Sequence, residues 1–159
     1  RPVSTHLLPH YKDGLFELAF PEIVNYVDAT FNTIPDKAHR AIAGLSMGGM
    51  HTLMITANYP DMFNYIGLYS AGVDFSHLNM EEVPAYANLD AKLTKLAQGN
   101  PKLYWIACGN EDWLLPANKR LMERMDKDGL KYTFHESPRG HLWCNWRQYS
   151  LLFIPQLFK

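Results

Sequence analysis

Arg40-Ala41-Ile42-Ala43-Gly44-Leu45-Ser46-Met47-Gly48-Gly49-Met50 is the stretch that decides the fold. Arg40 to Ala43 reads as a β-strand. Gly48-Gly49 opens a helical pattern that runs through Met50, Leu53, Met54 and Ala57 and is stopped by Pro60. Between them lies Gly-x-Ser-x-Gly, the pattern of a serine carried on a very tight strand-to-helix turn. Such a turn holds its serine in a strained conformation with the hydroxyl projecting above the sheet. Gly44 and Gly48 are expected to remove β-carbons that would collide across it. The N–H of Met47 and the positive end of the helix then face the place where an oxyanion would develop, so Met47 is the candidate oxyanion donor. The plainer reading makes Ser46 an ordinary helix N-cap. The flanking glycines and the preceding strand favour the turn.

Outward from this point, strand and helix patterns alternate. Upstream, Phe20, Ile23, Val24, Val27 and Phe31 repeat at helical spacing, and Pro21 predicts that the regular part starts near Pro21-Glu22. Residues 1–13 read as a loop or arm, and Ile34-Pro35-Asp36-Lys37 as a turn. Downstream come a strand over Phe63–Tyr69, an irregular excursion from Ser70 to Pro84, and a helix over Leu89–Ala97. Leu103–Cys108 is a near-continuous apolar run, as in a strand buried on both faces. Pro116–Lys127 reads as a helix with Gly129 as its stop, Lys131–His135 as a strand, and the segment from Trp143 as a closing helix that breaks near Pro155. The alternation predicts an α/β fold, a parallel sheet flanked by helices, with the working residues at the carboxyl ends of the strands.

Composition narrows the function. A chain of 159 residues with 47% hydrophobic residues is enough for one globular domain spanning 1–159. Fifteen basic residues against sixteen acidic ones, with no basic run, give no case for nucleic acid or an anionic membrane surface. No apolar run is long enough to span a bilayer. Cys108 and Cys144 match no zinc spacing and are expected to be free thiols. No metal and no cofactor is expected.

Three strand ends carry chemistry: Ser46 after the first, Glu111-Asp112 after the third, His141 after the fourth. A serine hydroxyl needs a nearby base, and a neutral imidazole held by a carboxylate is such a base. Gly140 lets the loop of His141 turn sharply, and Asp112 lies just past a strand where it can reach the neighbouring loop. Alternatively, Asp112 caps the helix near Pro116 and Glu111 is the acid. Of the other six histidines, His6 and His10 lie in the arm, His39 precedes the elbow strand, His51 packs on the elbow helix or faces solvent, His77 sits in the excursion and His135 is inside a strand. Trp105 and Trp146 read as core. Trp113, beside Asp112, and Trp143, two residues after His141, either join the core or wall an acyl or aromatic pocket as substrate-binding residues.

The order serine, acid, histidine is that of α/β-hydrolases. Ala41-Ile42-Ala43-Gly44-Leu45-Ser46-Met47-Gly48-Gly49 resembles the elbow of the esterase D and enterochelin-esterase-like group, which includes the family 1 carbohydrate esterases. Asp36-Lys37-Ala38-His39-Arg40 resembles their lead into the elbow strand, Cys108-Gly109-Asn110-Glu111-Asp112 their acid loop, and Gly140-His141-Leu142-Trp143 with Asn145-Trp146-Arg147 the ending of bacterial feruloyl esterases. The resemblance implies Ser46 as nucleophile, Asp112 as acid and His141 as base, acting on feruloyl or acetyl esters of plant polysaccharide in an exported, secreted or periplasmic, setting. It departs at Arg139, where relatives often carry a second glycine.

It also implies several strands ahead of the elbow strand, and none is legible upstream of Arg40. The chain is therefore expected to be the C-terminal portion of an α/β-hydrolase fold, a fragment or processed chain. Alternatively, it belongs to a homo-oligomer or to an assembly in which a second chain covers the open edge. Two other functions fit the same residues. One is a catalytically incomplete domain that binds carbohydrate or a partner; the other is a thioesterase or acyltransferase.

Overall fold

The computed structural model describes residues 13–76 and 78–159, so the arm over 1–12 and His77 lie outside the described residues. Among the described residues five α-helices and four strands alternate: α1 Leu15–Thr30, β1 Ala41–Leu45, α2 Met47–Asn58, β2 Tyr65–Tyr69, α3 Leu89–Gln98, β3 Leu103–Gly109, α4 Leu115–Lys127, β4 Thr133–Ser137 and α5 Trp143–Phe153. All strands pair in parallel in the order β1-β2-β3-β4, with Ala43 opposite Gly67, Gly67 opposite Trp105 and Trp105 opposite Thr133. Consecutive residues of a strand face opposite sides. Ile66, Leu68, Tyr104 and Ile106 therefore meet Leu53, Met54, Leu93, Leu121 and Met125 of α2, α3 and α4. Tyr65, Tyr69, Trp105 and Ala107 meet Trp146, Tyr149 and Phe153 of α5. The second layer is mostly rings set edge to face, such as Tyr69 and Trp105 at 5.6 Å.

β1 runs two residues further than expected, to Leu45, and β2 starts two residues later, at Tyr65; two other boundaries differ for identifiable reasons. α1 begins at Leu15, and Pro21 lies inside it. An interior proline costs about 3 kcal/mol. Phe16 and Phe20 offset that cost by packing on the core, with Phe16 meeting the His51 ring at 5.1 Å and Phe20 meeting Phe63 at 6.3 Å. β4 lies two residues later than predicted, because its register against Trp105–Gly109 carries pairing to Ser137, and Pro138 ends it. The excursion after β2 is irregular, with one short 3-10 turn over Met80–Glu82.

Among the described residues β1 is an edge strand, as expected. The Arg40 carbonyl accepts from Asn64 N–H and Ser46 N–H donates to the Tyr69 carbonyl, so the even-numbered residues face β2. Ala41, Ala43 and Leu45 thus turn their backbone groups to the open side. Apolar grooves flank this edge. One, of about 820 Å³, lies between β1 and α1 and includes Val24, Val27, Ile42 and Phe158. The other, of about 410 Å³, lies between β1 and α5. Among the described residues no helix is long and apolar enough to cross a membrane.

Candidate active site

The turn between β1 and α2 puts Ser46 at φ 54°, ψ −119°, a strained conformation for a residue with a side chain. Ser46 occupies the N-cap position of α2 without a side-chain cap. Its hydroxyl is instead 3.0 Å from His141 Nε2. Backbone bonds hold the turn from both sides: the Ser46 carbonyl accepts from Gly49 N–H at 3.0 Å and from Gly72 N–H at 2.7 Å. A β-carbon on Gly44 would lie 2.1 Å from the Gly48 carbonyl oxygen, so this glycine is obligatory. Gly48 is different from expectation, because a β-carbon there meets nothing within 4 Å. The second close approach belongs to Gly49, whose β-carbon would lie 2.7 Å from Ala71 Cβ. Met47 is the first residue of α2, where N–H groups have no intrahelical acceptor.

Asp112 follows β3 and is buried. Its Oδ2 is 2.9 Å and its Oδ1 3.2 Å from His141 Nδ1. Oδ1 also accepts the Leu114 N–H at 3.0 Å, and the Asp112 carbonyl accepts Leu115 N–H at 2.9 Å. Asp112 is therefore not the N-cap of α4, a position that Leu114 takes; its side chain bonds the Leu114 N–H at the entry to that helix and also meets the imidazole. Glu111 is exposed. In the tautomer that satisfies every contact, His141 Nδ1–H donates to Asp112 and Nε2 accepts from Ser46 O–H.

The other described histidines are engaged elsewhere. His39 pairs with Asp36 at 2.7 Å, and His135 stacks on Trp105 at 5.9 Å. His51 is buried and bonded through Nδ1 to Glu17 Oε1 at 2.6 Å, a partner from α1 that periodicity alone does not reveal. His6, His10 and His77 lie outside the described residues.

Aromatic rings surround the imidazole. Trp113, 71% exposed, lies 5.5 Å from it. Trp146 is buried and meets it edge to face at 4.9 Å. Trp143, 67% exposed, touches Trp146 at 5.1 Å and so stands one ring further out. Sequence reading assigned Trp146 to the core, and it is that and a contact of His141 at once.

Both cysteines are free. Burial, with the Asp112 charge adding to it, pushes the Cys108 thiol up to about 12, so it stays protonated beneath the acid loop. Hydrogen bonding to Arg139 draws the Cys144 thiol below its ordinary value. Among the described residues no group of three or more His, Cys, Asp or Glu side chains could hold a metal ion.

Residues 9–152 match the esterase family model. The chain belongs to the esterase family. Its relatives include the endo-1,4-beta-xylanase/feruloyl esterase of Xylanibacter ruminicola, 53% identical over 139 residues that make up 87% of this chain and 17% of that protein. The acetyl esterase of Caldicellulosiruptor saccharolyticus is 27% identical over 176 residues, covering 92% of this chain and 65% of that one. Among solved structures, the ferulic acid esterase of Anaeromyces mucronatus in complex with ferulic acid superposes with a TM-score of 0.71 at 20% identity, over 93% of this chain and 56% of that chain. This esterase-family chain thus spans less than two thirds of the length of each.

Proposed function

We propose that residues 1–159 act as one domain that hydrolyses carboxylic esters, with Ser46 as nucleophile, His141 as base and Asp112 as the orienting acid. The observation that carries this is the unbroken relay from Ser46 Oγ through His141 to Asp112, with contacts of 3.0 and 2.9 Å. Nε2 takes the hydroxyl proton as Oγ attacks the ester carbonyl, and the imidazolium is stabilised by the buried carboxylate at Nδ1. The oxyanion forms against the Met47 N–H at the head of α2. His141 returns the proton to the departing alkoxide, leaving an acyl group on Ser46. Water, deprotonated by the same imidazole, then releases the acid.

The rim and the relatives support a substrate class. The exposed indole of Trp113 beside His141 offers a face to a planar acyl group, with Trp143 further along. The names of the relatives, an endo-1,4-beta-xylanase/feruloyl esterase and an acetyl esterase, support feruloyl or acetyl esters, and we take plant polysaccharide as their carrier. Such substrates lie outside the cell, which agrees with a secreted or periplasmic location. A comparison of methyl ferulate with an acetyl ester tests this. Trp113→Ala is expected to raise KM for the ferulate by about two- to tenfold and to leave the acetyl ester unchanged, the value of one aromatic contact. An equal change for both esters removes Trp113 from acyl recognition.

The open side of β1 belongs to the same reading. Backbone at Ala41, Ala43 and Leu45 that pairs with no strand among the described residues, between two apolar grooves, suits a further strand from a second copy or another chain. Sedimentation of this chain is expected to show association that grows with concentration. A monodisperse monomer throughout contradicts it.

A further inference from the structure

The loop that carries His141 is strained and closely held. Arg139, two residues ahead of the base, has φ 70°, a left-handed backbone that glycine adopts freely and a residue with a β-carbon does not. Such strain persists only where the surroundings over-determine it. Here they do. The Arg139 carbonyl accepts Glu111 N–H at 3.0 Å and lies so close to β3 that a β-carbon on Gly109 would be 2.1 Å from it.

The carbonyls on either side of Arg139 have one donor in common. Asn145, buried in the first turn of α5, donates from Nδ2 to the Pro138 carbonyl at 3.0 Å and to the Gly140 carbonyl at 3.0 Å. A single amide thus bridges the strained residue and fixes the chain immediately before His141. The next residue on α5, Trp146, meets the imidazole edge-on, with ring planes at 85°. The first turn of α5 therefore touches both the backbone just ahead of the base and the ring of the base.

We infer that Asn145 is a positioning residue for the hydrolysis proposed above: its two hydrogen bonds hold Arg139 in the left-handed conformation and thereby keep His141 Nε2 against Ser46. The inference rests on the reading of His141 as the base. Without Asn145 the strain at Arg139 is released by letting the loop relax, and the relay lengthens. A displacement of about 1 Å at a catalytic group costs about a hundredfold in rate. Asn145 is buried and its side chain bonds backbone carbonyls rather than Ser46, His141 or Asp112 side chains, so its loss is expected to act on turnover and not on ester binding.

The test is a cycle of Asn145→Ala, Arg139→Gly and the double variant, assayed with an aryl ester at a temperature where circular dichroism shows every protein fully folded. Asn145→Ala is expected to lower kcat by about ten- to a hundredfold with little change in KM. Arg139→Gly, which removes the strain, keeps kcat near the parent value. The double variant is expected to recover most of the loss, because a glycine at 139 stays left-handed without the bridge. A merely structural role for Asn145 gives no such rescue. Equal kcat in the parent and Asn145→Ala, or a double variant as slow as Asn145→Ala, overturns the inference. Labelling by a fluorophosphonate separates this from the underlying reading. A folded parent that fails to label at Ser46 removes the hydrolase reading itself. A parent that labels, with Asn145→Ala labelling equally fast, removes the role of Asn145 alone.

Discussion

Ser46→Ala and His141→Ala are each expected to lower aryl-ester turnover by about 10⁴- to 10⁶-fold, the range seen when one member of a serine-histidine relay is removed. In the proposed mechanism the two residues act as a unit, because the hydroxyl would be a nucleophile only while Nε2, 3.0 Å away, takes its proton. The double variant should therefore be no slower than either single one, and the two losses should not multiply. Asp112→Asn is expected to cost less. It keeps the bond to Leu114 N–H but presents an amide to His141 Nδ1, which favours the wrong tautomer. Since Asp112 also organises the entry to α4, Asn is the informative substitution and Ala is not. Initial rates with a nitrophenyl acetate, together with fluorophosphonate labelling of Ser46, measure all of these. Undiminished turnover in Ser46→Ala would rule out the nucleophile.

The site was readable in the sequence to the extent that its residues sit at strand ends. Ser46, Asp112 and His141 could be placed because a parallel sheet gathers the loops that follow its strands, and each of the three lies within a few residues of a strand end. Pro60 and Gly129 punctuated the helices for the same local reason, Gly129 having φ 74°. What local pattern could not supply was anything set by approach between distant backbones. Gly48 looked as necessary as Gly44, yet the neighbour that decides is Ala71, which presses on Gly49. Pro21 looked like a helix start, yet Phe16 and Phe20 packing on α2 and the core extend α1 ahead of it. Asn145 stood in the sequence only as part of the closing Asn145-Trp146-Arg147 motif, and its two bonds appear only when the Pro138 and Gly140 carbonyls converge on it. Trp146 read as core by helical spacing, which its burial bears out, but spacing says nothing of the ring it meets.

The Glu17–His51 pair carries the largest expected effect on stability. Glu17 is fully buried in α1, and its Oε1 is 2.6 Å from His51 Nδ1 on the elbow helix, with the Tyr86 hydroxyl donating to the same oxygen at 3.3 Å. Removing one partner strands the other in the core, which costs about 3–5 kcal/mol. Glu17→Ala and His51→Ala are each expected to lower Tm by about 10 °C, given about 2–4 °C per kcal/mol for a domain of this size. The pair itself is not well satisfied, because Glu17 Oε2 and His51 Nε2 are buried without partners among the described residues. Replacing both residues by apolar ones of similar volume, Glu17→Met with His51→Phe, removes those two orphaned atoms along with the bond. Phe16 already packs on the His51 ring at 5.1 Å, so a phenylalanine there keeps an aromatic contact. The double variant should therefore lie within about 1 kcal/mol of the parent in urea denaturation, far above the sum of the single losses. A double variant as unstable as that sum would mean that the bond itself, rather than the penalty for breaking it, joins α1 to the helix behind Ser46.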